Sequence, residues 1–415
     1  MTPAAGTPRT RGAAVTLGAA GSRPVRSAVV IGAGIGGLTT AIGLRRAGID
    51  VTVHERRTEP GRLLTGGGFM LWHNAFVALR RLGLDDAVAK VSSEIEFHEF
   101  RSDRGRTLAR WAIAPESRRI GAPAVALRRS DLNALLLEHV GDDVELGTQC
   151  SGFTQDDEGV TVRFADGSTR RADILIGADG MRSAVRSTLR HGHDLPPRYA
   201  GYTAWQAIAR LPGEDVVPSG TFFNLWGRGG LRFLYCRLNE EEVYWDAITS
   251  DGASAAFDMF RKDRRTVMRE SYADWPDPIP AILAATAEEA ILPIDIADRP
   301  PERESAWSHG RVCLVGDAAH PMTLNLSQGA GQAIEDGVVL AERLAADGDI
   351  ATAFARYEAL RRRRVDAMVR GAYRIGLLGT LRGPVSCGAR DLFMRAFFGT
   401  FARKGTYRLM MDFEY

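Results

Sequence analysis

The stretch from Ser27 to Arg56, SAVVIGAGIGGLTTAIGLRRAGIDVTVHER, restricts the fold of this chain more than any other segment. Val29, Val30 and Ile31 read as a buried strand, and Leu38, Ala41, Ile42 and Leu44 recur at helical spacing. Ile49, Val51 and Val53 then alternate as a second strand does. Two strands joined by a helix form a parallel βαβ unit, so the expected class is α/β with a Rossmann-like nucleotide-binding domain. Within GAGIGG, Gly32 permits the tight turn, Gly34 lets a pyrophosphate reach the backbone, and Gly37 lets helix and strand pack closely. Gly36 completes the loop. Glu55 lies 23 residues beyond Gly32 at the end of the second strand, where a carboxylate can accept hydrogen bonds from an adenosine ribose; Arg56 follows it. FAD and NAD share that half, so this unit alone leaves the dinucleotide open.

A second segment, RVCLVGDAAHPMTLNLSQGAGQAIED, narrows the choice. A buried strand delivers Gly316 and Asp317 at its carboxyl end, where open α/β sheets hold ligands, and Asp317 suits a ribityl hydroxyl. The loop from Ser327 to Gly331, with Gly329 and Ala330, opens a helix whose backbone N–H groups can support negative charge on a reduced flavin. His320 is expected to be a structural part of the turn.

At 415 residues the chain has room for two compact domains. Its formal net charge of +2 gives no electrostatic reason to expect nucleic acid as a partner. The one basic run, Arg361 to Arg364, reads as the wet face of a helix. Four cysteines, Cys150, Cys236, Cys313 and Cys387, fit neither a metal site nor a disulfide framework by their spacing, which favours a reducing cytoplasm. No apolar run is long enough to span a membrane. Residues 1–26 are expected to be a disordered tail.

The segment from Tyr199 to Ile248 is dense in aromatics with β-like alternation. Val160 to Phe164 and Ile174 to Ile176 read as a strand pair about the Asp166-Gly167 turn. A discontinuous nucleotide-binding domain is therefore expected over 27–70, 100–190 and 285–350. An inserted, mainly antiparallel β-sheet substrate domain is expected over 71–99 and 191–284, followed by C-terminal helices over 351–415. In that last segment Leu377, Leu378, Leu381, Leu392, Phe393, Phe397, Phe398 and Phe401 offer apolar faces for docking onto the parent domain.

These motifs together resemble the class A, single-component flavoprotein monooxygenases, the group of para-hydroxybenzoate hydroxylase and zeaxanthin epoxidase. DILIGADGMRSAVR at 173–186, centred on Asp179 and Gly180, is similar to the family's second signature, and Gly316-Asp317 to its third. Arg129 matches an arginine that contacts FAD in the family. Gly66 to Leu71, with Gly68, resembles the segment beside the flavin ring, and GYTAWQ at 201–206 the strand that opens the substrate domain. The resemblance implies a bound FAD, reduced transiently by NADPH or NADH without a second Rossmann domain. It also implies dioxygen as co-substrate, a flavin C4a-hydroperoxide, and hydroxylation or epoxidation of a hydrophobic or aromatic small molecule, a natural-product intermediate among the candidates. The sequence departs from many relatives at Leu324, where proline is common, and at Ser327, Ala330, His73 and Gln206. Those departures leave open a flavin dehydrogenase or oxidase on the same scaffold, or a non-catalytic ligand-binding relative.

His73 is the candidate base for a phenolic proton. Trp205, Phe223, Trp226 and Tyr235 are candidate walls of a flat apolar pocket, with a hydrophobic sheet core as the other reading. Arg228 and Arg232 are expected at the surface, or else on a carboxylate or nicotinamide phosphate. Monomer and homodimer are both compatible with the sequence.

Overall fold

The computed structural model describes residues 24–63, 66–250, 263–302, 305–398, 411 and 413. Most of the expected tail, with Phe401, lies outside them. The βαβ unit forms as read: strands Ser27–Ile31 and Asp50–Glu55 pair in parallel around helix Ile35–Arg46. They sit inside a six-stranded sheet of order 308–309, 312–314, 174–177, 27–31, 50–55, 144–146. Its central strands are apolar on both faces because helices cover one and the three-stranded sheet of residues 150–155, 160–164 and 169–172 packs on the other. Helices Ile35–Arg46 and Gly329–Ala346 pack together on one face.

The aromatic segment forms a separate seven-stranded sheet, mainly antiparallel, of order 292–298, 198–210, 242–249, 232–237, 221–226, 97–102, 107–112. Three expected boundaries shift. Strands Phe97–Ser102, Thr107–Ala112 and Leu292–Asp298 belong to this sheet rather than to the nucleotide-binding part. Conversely, helix His73–Arg81 packs into the nucleotide-domain core through Ala75, Phe76, Ala78 and Leu79. The expected hairpin is also displaced: Val160–Phe164 pairs with Thr169–Ala172, whereas Ile174–Gly177 is a central strand of the parallel sheet beside Ser27–Ile31. Local turn chemistry marked the bend correctly but could not say which following strand closes it. A three-stranded sheet, order 68–71, 125–128, 92–94, bridges the two parts.

Alternation along the seven-stranded sheet separates two cores. Trp205, Phe223, Phe233, Tyr235 and Trp245 pack on one face against helices Arg264–Ser271 and Ile279–Ala284. Tyr202, Phe222, Trp226, Leu234 and Tyr244 lie on the other, which faces the nucleotide domain.

The long helix Ile350–Gly379 corrects the reading of the basic run. Arg361 is fully buried and Arg364 nearly so. Arg361 Nε binds Asp336 at 2.8 Å, its Nη1 binds Glu335, and Arg364 reaches Glu335 at 3.2 Å. Two carboxylates on the neighbouring helix supply the partners that a buried guanidinium needs.

Candidate active site

A cleft of about 390 Å3 opens between the two large sheets. Its nucleotide end is lined by Gly34, Gly36, Arg129, Gly180, Asp317, Gly329 and Ala330. Gly32 has φ +104°, and a β-carbon there would sit 2.4 Å from the Ala178 carbonyl oxygen. One on Gly37 would lie 1.9 Å from the Gly32 oxygen, so strand and helix touch only because both residues are glycine. Gly34 differs: nothing lies within 4 Å of its added β-carbon, which leaves room for a ligand to approach the backbone.

Helices Ile35–Arg46 and Gly329–Ala346 begin at this cleft without side-chain caps, so their first N–H groups remain available to an anionic ligand. Glu55 accepts from the Ala33 and Arg57 N–H groups, both at 3.0 Å, and is thereby fixed beside the glycine turn. Arg56 is exposed next to it. The Asp317 side chain opens into the cleft, where burial by the surrounding protein raises its pKa. Its turn is held from below: Asp336 Oδ2 accepts from Gly316 N at 2.8 Å and pairs with His320 Nε2 at 2.6 Å. His320 is thus structural, as expected. Asn74 joins Gln328 at 3.1 Å and Glu335, tying the second glycine loop to the same buried network.

The cleft ends on Gly67, Gly68, Gln206, Tyr244, Asp246, Met322 and Leu324. Gly68 must be glycine, since a β-carbon would come within 2.7 Å of the Tyr244 ring. Asp246, only 5% exposed, accepts a 2.6 Å hydrogen bond from the Tyr244 hydroxyl on Oδ2, while Oδ1 has no hydrogen-bond partner among the described residues. Burial pushes its carboxyl up to about 7 against the opposing pull of Tyr244, Gln206 and the Arg232 charge. A carboxyl that titrates near neutrality on the cleft wall can accept a proton.

A narrower cavity of about 90 Å3 joins this end of the cleft, sharing Phe222, Leu234, Leu324 and Ser327 with it. Its further walls include Trp72, His98, Phe100, Trp111, Trp226 and Arg232.

The sequence matches the family described as FAD binding domain over residues 26–219 and 248–372. It is 39% identical over 368 residues to the aurachin C monooxygenase/isomerase of Stigmatella aurantiaca, covering 88% of this chain and 93% of that protein. It is 32% identical over 347 residues to a FAD-dependent urate hydroxylase of Klebsiella pneumoniae, covering 82% and 87% of the two chains. The chain belongs to the FAD-dependent aromatic-hydroxylase-type monooxygenases. The crystal structure of Klebsiella pneumoniae HpxO complexed with FAD and uric acid is similar with a TM-score of 0.84 and 29% identity, over 93% of this chain and 97% of that one. The open Gly34, the uncapped helices and the accessible Asp317 at the glycine end of the cleft suit the dinucleotide of such an enzyme.

Several residues singled out in the sequence lie elsewhere. Asp179 spends its carboxylate on Ser183 and on the Ala184 N–H at 2.7 Å, so it braces the start of helix Ala184–Leu189; its neighbours Ala178, Gly180 and Met181 line the cleft. His73 is fully buried behind Trp72 and lines neither cavity. Its Nε2 meets Ser117 Oγ at 3.2 Å and burial lowers its pKa to about 4; lining neither cavity, it is not placed to act as the base. Of the four aromatics only Trp226 borders the side cavity; Trp205, Phe223 and Tyr235 belong to the core on the far face of the sheet. Arg232 is not a surface residue but 3% exposed. Sequence reasoning missed Asp246, although a carboxylate in the middle of the otherwise apolar run VYWDAI is a signal in itself.

Proposed function

We propose that the protein is an NAD(P)H-dependent FAD monooxygenase that oxygenates an electron-rich aromatic or heteroaromatic small molecule, with Asp246 taking an acidic ring proton. Bound FAD, reduced by NAD(P)H, supplies electrophilic oxygen from dioxygen. The protein supplies position and proton traffic. The Asp246 carboxylate accepts the proton of a ring hydroxyl or N–H, and the electron density left on the ring increases its reactivity. Tyr244 steadies the carboxylate through Oδ2, and Gln206, with Nε2 3.4 Å from the Tyr244 oxygen, borders the pair. Leu324, Met322 and Phe222 keep the reacting end apolar and limit the entry of water. The observation that carries this reading is the position of Asp246, buried and half-partnered on the wall of a cleft whose other end is built for a dinucleotide. Relatives that act on urate and on aurachin C agree with a ring substrate. A reducing compartment such as the cytoplasm suits an enzyme with four buried, unpaired cysteines.

The test is oxygenation under labelled dioxygen with NADH or NADPH and a panel of hydroxylated aromatic and N-heteroaromatic compounds. Label in the product supports the proposal. Product without label would place the protein among dehydrogenases or oxidases.

A further inference from the structure

Arg232 stands on strand Arg232–Arg237 at the wall of the side cavity. Its Nη1 donates to Asn325 Oδ1 at 2.6 Å, but Nε and Nη2 have no hydrogen-bond partner among the described residues. No carboxylate forms an ion pair with it among the described residues. The guanidinium lies between two rings, with Cζ 5.1 Å from the centroid of Tyr202 and 5.4 Å from that of Trp226. Asn325 cannot neutralise it. That amide is itself fixed by the Tyr202 hydroxyl at 2.6 Å and the Ala372 carbonyl at 2.9 Å. The other buried arginine clusters follow the usual rule: Arg361 meets Asp336 and Glu335, Arg186 meets Asp194 at 2.9 Å, and Arg390 meets Asp391 at 2.8 Å. Buried Arg237 also lacks a carboxylate but gives its N–H groups to five backbone carbonyls, whereas Arg232 has neither among the described residues, in a wall that includes Trp72, Phe100, Trp111, Phe222 and Trp226. A second unsatisfied group shares the wall, since neither ring nitrogen of His98 has a hydrogen-bond partner among the described residues.

A buried cation without a counter-ion is costly, and so are unpaired donors in an apolar cavity. A ligand carrying an anionic oxygen relieves both costs, because a guanidinium edge offers parallel N–H groups that match a carboxylate. We propose that the side cavity is a recognition subsite for an anionic oxygen, a carboxylate or an ionised enol, borne by the substrate on an apolar or aromatic framework and drawn to the Arg232 guanidinium. His98 offers the same group one further hydrogen bond. The subsite adjoins the reacting end of the cleft, with Phe222, Leu234, Leu324 and Ser327 lining both. This deepens the proposed oxygenation by naming a feature of its substrate, and it rests on the cleft being the place where that substrate binds.

The test compares 2-naphthoate with the neutral 2-naphthamide on the FAD-loaded protein, with binding followed by the flavin absorbance and tryptophan fluorescence. In the wild type the carboxylate should bind at least about tenfold more tightly than the amide. Arg232→Met should abolish that preference while leaving amide binding within about twofold; Arg232→Lys, which keeps the charge but loses the fork, should retain part of it. Equal affinity for the two probes in the wild type overturns the proposal, as does an unchanged preference in Arg232→Met at full flavin content. If neither variant folds, the wild-type ratio decides. Failure here leaves labelled-oxygen incorporation untouched, whereas absence of oxygenation with every aromatic tested would remove the underlying reading instead.

Discussion

The Tyr244 hydroxyl donates to Asp246 Oδ2 at 2.6 Å from a residue two positions away on the same strand, so both side chains emerge on one face of the sheet. That relationship turns a buried carboxyl into an oriented one, with Oδ2 engaged and Oδ1 without a hydrogen-bond partner among the described residues. Asp246→Asn should therefore slow oxygenation on the order of 10²-fold while FAD content stays intact. A base works only when deprotonated, so with the carboxyl near 7 the wild-type kcat/KM should rise with pH through that value. Steady-state profiles from pH 5.5 to 8.5 check this. A rising limb that survives in Asp246→Asn would assign the titration to another group.

Gly34→Val should produce a folded apoprotein. Gly34 has φ −81° and ψ 177°, which valine adopts readily, and its added atoms meet nothing in the protein. They would, however, occupy the path of the pyrophosphate. The expected outcome is purified protein nearly devoid of flavin, with an apoprotein melting temperature within about 3 °C of the wild-type apoprotein. Asp317→Ala should weaken flavin retention as well, through loss of a ribityl partner. Flavin content by absorbance after purification decides both, and wild-type content would displace the cofactor site.

His98→Phe should flatten the acid limb of stability. His98 is enclosed by Phe100, Trp111 and Phe222, with ring centroids 4.6, 4.7 and 5.1 Å away, and burial lowers its pKa to about 3. The folded protein keeps it neutral while the unfolded chain protonates it below about 6.5. Its contribution is complete above 6.5 and declines as pH falls from there toward 3. Denaturant midpoints at pH 7 and pH 5 should differ less in His98→Phe than in the wild type, and an equal difference would exclude this histidine as the source.

Leu324→Pro should fold and keep its flavin. Leu324 is the first residue of a short 3-10 helix, and Thr323 before it is extended with ψ 155°, a conformation that proline tolerates in its predecessor. The leucine side chain borders both the cleft and the side cavity, so its loss opens the passage between them. The share of NAD(P)H oxidation that ends in hydrogen peroxide should rise. Product, peroxide and NAD(P)H measured in one reaction test this, and unchanged coupling at full flavin occupancy would mean that Leu324 does not shield the reacting end.

The nucleotide half was legible in the sequence because its determinants are local. The turn at Gly32, the contact at Gly37 and the strand periodicities around them lie within one βαβ unit, and the geometry of a single turn dictates each. The reacting end was not legible. The seven-stranded sheet is apolar on both faces, so alternation distinguishes Phe222 from Phe223 without saying which one meets the cleft. That choice depends on the pairing of strands from 97 to 298 and on which face the nucleotide domain covers. The same long-range packing buried His73 behind Trp72, drew Arg361 onto two carboxylates, and left Asp246 and Arg232 on cavity walls with atoms unpaired. Sequence determined the βαβ unit and its glycine turn because backbone geometry repeats locally; only the tertiary structure decided which side chains reach the cavity walls, because desolvation and partnership are properties of the assembled surroundings.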